Sequence, residues 1–215
     1  MKKQSLLFFC LLLIAATLFS QNPAVVVPSF NDDYCNTVKK LEAGQVTIDY
    51  KKFRESFLQS EQFKVASGKT KETKKLTDQL YEQMKTNDYP ALIKSCKELL
   101  SIDYTNMRAH KILRQTYAQT GDSILASRYK QIQFGLLNSI VKNGDGKTCA
   151  TGWPVIQIAE EYFILEMVGA KLNKQSVDQT GGLCDKMEVS VDGQSKTYYF
   201  DVTKVFEGYK KLGMR

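Results

Sequence analysis

The hydrophobic period of this chain changes once, within the stretch NGDGKTCATGWPVIQIAEEYF from Asn143 to Phe163. No other feature constrains the fold as much. Before that stretch, apolar residues recur at spacings of three and four, the period of an amphipathic helix. After it, apolar and polar residues alternate, the period of a half-buried strand. The stretch itself holds the only Trp, a Gly-Asp-Gly turn and an apolar run at Val155, Ile156 and Ile158. A chain written this way is expected to hand a helical layer over to a small sheet.

Residues 1–20 stand outside that argument. Lys2 and Lys3 precede an apolar run from Leu6 to Ile14, and small residues follow at Ala15 and Ala16. This is the pattern of a secretory signal peptide, and cleavage after Ser20 leaves Gln21 first. The run is too short for a membrane span. Cys10 follows Phe9 inside the run, whereas a lipid-attachment cysteine needs small residues before it at the end of the run. No other stretch can span a bilayer. The mature protein is therefore expected to be exported and soluble, in the periplasm or outside the cell.

The roughly 195 residues that remain suit one domain or two small ones. The formal net charge of +7 is unevenly placed. Residues 71–142 carry 12 Lys and Arg against 7 Asp and Glu, while residues 143–215 carry a slight acidic excess. A basic segment attracts acidic partners; the plain alternative is a solvated helical face. Four cysteines follow the leader: Cys35, Cys96, Cys149 and Cys184. They allow three complete pairings, and spacing does not choose among them. Cys149 and Cys184 share the C-terminal region and make the best pair, whereas Cys96 lies on an apolar helix face and suits a core. The spacings give no support to a zinc site, and no metal or cofactor is expected.

In chain order, residues 21–71 read as an extended arm followed by short helices. QNPAVVVPSF has two prolines and no helical period. Asn31-Asp32-Asp33 caps a helix with Tyr34, Val38 and Leu41 on one face, and Asp49 caps another with Tyr50, Phe53 and Phe57. Ser60 to Lys71 is polar, contains Gly68 and reads as a loop. Residues 72–142 read as four antiparallel helices with short connections. Pro90 suits a first turn, and Gly121 and Asp122 end one helix and cap the next. Within them Asn106, Ala109, Leu113, Tyr117, Gly121 and Ala126 are spaced as in a tetratricopeptide repeat, which this hairpin resembles. The preceding hairpin, 73–102, is a poor match, with Asn87 where a Gly is usual, and Arg114 replaces an expected small residue.

Residues 143–215 read as a module of strand, helix, three strands and helix. Pro154 to Ile158 is expected to be a buried strand, Glu160 to Val168 a helix ending at Gly169, with a strand as the alternative, and Lys171 to Asp178 a strand. Lys186 to Val191 and Thr197 to Val202 flank the turn Asp192-Gly193. Thr203 to Lys211 closes the chain as a helix. The fold class is therefore α+β: a helical-hairpin, tetratricopeptide-like layer followed by a small, mostly antiparallel sheet with one or two helices.

Asp49-Tyr50 through Phe57, Gly144-Asp145-Gly146-Lys147, Glu160-Glu161-Tyr162 and Tyr199-Phe200-Asp201 together carry a wider resemblance. Over nearly all of residues 30–211 the chain resembles an uncharacterised family of exported bacterial proteins, catalogued as domain of unknown function 4919. The resemblance implies export from a diderm bacterium. It implies no activity and transfers no site residue.

Catalytic chemistry finds little footing. Gly146-Lys147-Thr148 resembles the end of a phosphate loop, but Val141 stands where the first Gly belongs and a helix precedes it. Asn143 and Asp145 lack the further carboxylates of a calcium loop. His110 is the only imidazole available to activate a nucleophile, and it lies in a helical hairpin. Glu160 and Glu161 are adjacent, so a helix points them about 100° apart; first-turn charges favoured by the helix dipole are the simpler reading. Trp153 and the eleven tyrosines could suit a sugar, but most of these aromatics fall on core faces.

Two functions remain. The first is an exported, non-catalytic binding or scaffold protein that uses its helical layer on a protein or an acidic envelope component, with no nucleic-acid partner. Its candidate contact is Arg108, Lys111 and Arg114, which recur at spacing three opposite Ala109, Leu113 and Tyr117 and are expected to form an exposed stripe. The second is an enzyme of unrecognised type in the C-terminal module. A deep pocket on which Asp145, Glu160 or Asp201 converge would favour the enzyme; a groove beside Arg108, Lys111 and Arg114 would favour the binder.

Overall fold

A computed structural model describes residues 24–214. The expected leader and the cleavage point at Gln21 lie outside the described residues. Seven helices come first: α1 (Asp33–Glu42), α2 (Tyr50–Gln59), α3 (Glu61–Gly68), α4 (Thr70–Thr86), α5 (Tyr89–Ile102), α6 (Met107–Gln119) and α7 (Ser123–Val141). Their starts are written in the sequence. Asp32, Asp49, Asp88, Asn106 and Asp122 each accept a backbone N–H three residues on, satisfying a donor that the first turn leaves free. Gly121 takes φ +85° between α6 and α7, a conformation that costs glycine little. Asn87 does the same duty after α4 at φ 53°.

The polar stretch from Ser60 to Lys71 is not a loop. It forms α3 and the first turn of α4. Ser60 caps α3, Phe63 packs edge-on to Phe57 at 5.4 Å, and Gln62 donates to the carbonyls of Ser101 and Ile102 at 3.2 and 2.8 Å. One aromatic and one buried amide hold a helix that local polarity argues against, because tertiary contacts override propensity.

A 3₁₀ turn (Cys149–Thr151) then leads into β1 (Trp153–Pro154), α8 (Ile158–Met167), β2 (Lys171–Asp178), β3 (Cys184–Val191), β4 (Gln194–Asp201) and α9 (Thr203–Lys211). The sheet order is β1-β4-β3-β2, parallel at β1–β4 and antiparallel elsewhere. The molecule is mixed α+β with a mostly antiparallel C-terminal sheet, as the patterning indicates. The expected strand over Pro154–Ile158 shrinks to two residues. Pro154 has no N–H to donate, Val155 gives one further bond to the Asp201 carbonyl at 3.0 Å, and the Ile156 N–H is taken by Glu160 at 2.8 Å. The chain turns into α8 instead.

Asp192 and Gly193 both have positive φ, which suits the tight β3–β4 hairpin. Met187, Val189 and Val191 share the buried sheet face with Asp185, while Lys186, Glu188 and Ser190 point the other way. Cys149 and Cys184 form a disulfide with Cα atoms 5.7 Å apart, and Cys35 and Cys96 are buried thiols. One apolar core runs from Val25 through all helices of the first part to Phe200 and Val205. No helix among the described residues is long and apolar enough to cross a membrane.

Candidate functional site

The site begins where α5 stops. Ile102 is its last buried residue, and Asp103 turns the chain out in extended backbone. Asp103 then folds its carboxylate over the next residues: Oδ1 accepts the Thr105 N–H at 2.8 Å and the Thr105 hydroxyl at 2.6 Å. Such Asx turns are what short acidic side chains do after a helix. Across the seam stands Gln157, the residue before α8, whose side chain does not cap its own helix. Its amide donates to Asp103 Oδ2 at 2.9 Å and to the Thr105 hydroxyl at 3.0 Å. Burial pushes the Asp103 carboxyl above its usual range; the hydrogen bonds from Thr105 and Gln157 oppose that, and the Glu160 charge adds to it.

Two adjoining cavities meet at this knot. One, about 360 Å³, is walled by Phe57, Phe63, Ile102, Ile158, Val205 and Tyr209. The other, about 250 Å³, runs between α4, α6 and α8 past Leu80, Met107, Arg108 and Tyr162. Thr73, Ile102, Asp103, Gln157 and Ala159 line both. The result is a groove with apolar walls and a polar floor, set between the helical layer and the sheet module, the kind of place ligands occupy.

The first turn of α8 is fixed from below. Arg54 of α2 donates Nε and Nη2 to the two Glu160 oxygens at 2.8 and 2.6 Å, with both side chains almost fully buried. Nη2 also reaches the Pro154 carbonyl and Nη1 the Ser139 hydroxyl. Glu161 is fully buried, and among the described residues neither of its oxygens has a hydrogen-bond partner. Burial, then the charges of Asp185 and Glu160, push its carboxyl up to about 9. Burial beside the Asp185 and Glu160 charges thus favours the protonated Glu161 carboxyl, while Asp185 accepts from Gln175 at 2.6 Å. The pair does sit in the first turn of α8, where the sequence places first-turn charges, and both residues are buried there.

Arg108, Lys111 and Arg114 are half-buried, not an exposed stripe. Arg108 and Lys111 both pair with Glu166 of α8, at 2.6 and 2.7 Å. Arg108 also lies over the Tyr81 ring of α4, and Arg114 lies over Phe134. Only Arg108 reaches the groove. The three acids named for an enzyme do not converge. Asp145 is held by Thr151 and Lys147 in an exposed turn, Glu160 is locked to Arg54, and Asp201 bonds the Thr203 N–H before α9. His110 is fully buried against Tyr104 and Tyr129, where burial pulls its imidazole down to about 4.

Asp103, Gln157 and Arg54 escape sequence reasoning. Arg54 did leave a trace: it falls four residues after Tyr50 and three before Phe57, on the apolar face of its helix. A charge at such a position needs a buried partner. Asp103 and Gln157 leave none, since their contact spans 54 residues.

The model of one family, Domain of unknown function (DUF4919), matches residues 30–211, and the chain belongs to that family. No curated protein and no solved structure matches the chain.

Proposed function

We propose that this is an exported, non-catalytic binding protein that takes its ligand in the groove along the seam of helical layer and sheet module. The observation that carries the reading is the shared lining of the two cavities, to which α4, α5 and the start of α8 all contribute. Arg108 stands at this groove, so of the three basic residues it alone enters the reading, at the rim. The Cys149–Cys184 bond supports the exported part, since such bonds persist in oxidising compartments. Asp145, Glu160 and Asp201 each have structural partners, which favours binding over catalysis.

The test is to block the groove. Thr73 is half-buried and lines both cavities, so Thr73→Phe fills them at one position. Wild type and variant are equilibrated with a small-molecule extract of the cell envelope and weighed by native mass spectrometry. The expected result is an added mass on wild type that the variant lacks. Equal masses on both proteins, or none on either, would defeat the reading.

A further inference from the structure

We infer that the ligand of this groove is a small apolar cation, an ammonium-bearing molecule whose charge sits against Asp103 and whose apolar body fills the larger cavity. The inference rests on the groove reading above and names the class of ligand.

The first support is an uncompensated charge. Asp103 accepts three hydrogen bonds, all from the neutral donors Thr105 and Gln157. Among the described residues it has no Lys or Arg within ion-pair distance, whereas Glu160 beside it has Arg54. The charged group that acts on Asp103 from the groove lining is Glu160, of the same sign. A carboxylate offers about four acceptor positions, so one remains. Burial disfavours the charged form of this carboxyl, and a cation seated beside it from outside would restore that form.

The second support is the wall beside it. The larger cavity is lined by Phe57, Phe63, Ile156, Ile158, Val205 and Tyr209, and among the described residues Asp103 is the only charged one that lines it. Aromatic faces attract cations as well as apolar groups. An anionic ligand would meet Asp103 without help, since Arg108 is already paired with Glu166. A neutral ligand would leave the carboxylate as it is. The cavity, about 360 Å³, suits a molecule with a single ring or a short chain.

The experiment uses the mature chain with its disulfide intact and three probes of one shape: phenylethylammonium, 2-phenylethanol and phenylacetate. Calorimetric titration is expected to give phenylethylammonium at least about tenfold tighter binding than the alcohol, with phenylacetate weakest. Asp103→Asn should erase that preference, and Thr73→Phe should abolish binding of all three. In wild type, the ammonium and not the alcohol should shift the nuclear resonances of the Thr105 N–H and the Gln157 side-chain amide, which needs no folded variant. Equal affinity for the ammonium and the alcohol, both lost in Thr73→Phe, would overturn the cation and leave the groove standing. Ammonium binding that Thr73→Phe does not weaken would overturn both. No binding of the ammonium at millimolar concentration would overturn the cation, and the envelope extract then judges the groove alone.

Discussion

At its first turn α8 buries Glu160 against Arg54; two turns later the same helix offers Glu166 to Arg108 and Lys111 near the surface. Both contacts tie α8 to the helical layer, and the distances are alike, 2.6 Å against 2.6 and 2.7 Å. Their surroundings are not. The Arg54 and Glu160 side chains are 3% and 4% exposed, whereas Glu166 is 39% exposed. Water and salt weaken the outer contact whatever its geometry. The inner one was stripped of water on both sides, so each partner is there only because the other is. An ion pair's worth is set by what happens when half of it is removed, and the two ends of one helix offer that comparison within one molecule.

The largest break should come from Arg54→Met, which leaves Glu160 buried and alone. We expect a loss of about 3–5 kcal/mol in urea unfolding. Most of it should return in Arg54→Met/Glu160→Met, where apolar groups of similar size replace both charges. A single variant within about 1 kcal/mol of wild type would show that the inner pair behaves like the outer one.

Glu161 sharpens the comparison through pH. Its carboxyl is raised from 4.5 to about 9 in the fold, so the unfolded chain gives up this proton first as pH rises. The folded chain then holds more protons, and stability falls between about pH 4.5 and pH 9. Glu161→Gln keeps the size and shape of the side chain and removes the titration. The variant should be more stable by about 1–3 kcal/mol at pH 7.5, with the margin growing from pH 5 to pH 9. A margin that stays flat with pH, read by thermal unfolding, would mean that Glu161 is ionised in the fold.

The smallest effect belongs to the outer end. Glu166→Gln should cost at most about 1 kcal/mol, and less in 0.5 M salt. The salt dependence is the informative part, since the Arg54 variant should lose nearly the same stability at either ionic strength.

The inner and outer contacts also differ in how far sequence can foresee them. Helical spacing, the Asp32, Asp49 and Asp122 caps, Gly121 and the Asp192-Gly193 turn are local, and each appears in the structure where the sequence puts it. So does the Cys149–Cys184 bond among the three pairings left open. The tetratricopeptide likeness of the second hairpin stays a matter of spacing. What escaped was held from a distance: α3 by the Gln62 amide on the carbonyls of Ser101 and Ile102, and Glu160 by the lock of Arg54, 106 residues away. The candidate groove escaped for the same reason. Its floor joins Asp103 to Gln157, and no periodicity in either neighbourhood points to the other. The basic stripe was legible as spacing but not as exposure, because a helix face is empty only until another element arrives.

The disulfide has a mechanical consequence. It closes a loop of sequence separation 35 that contains α8, β2 and Gln157 on the groove floor. A chain pulled from its two ends passes its tension through the sulfur atoms and bypasses that loop. At about 3.4–3.6 Å per residue, roughly 120 Å of contour stays slack until the bond is reduced. Gln157 and all of α8 thus belong to a stretch that no end-to-end force can straighten.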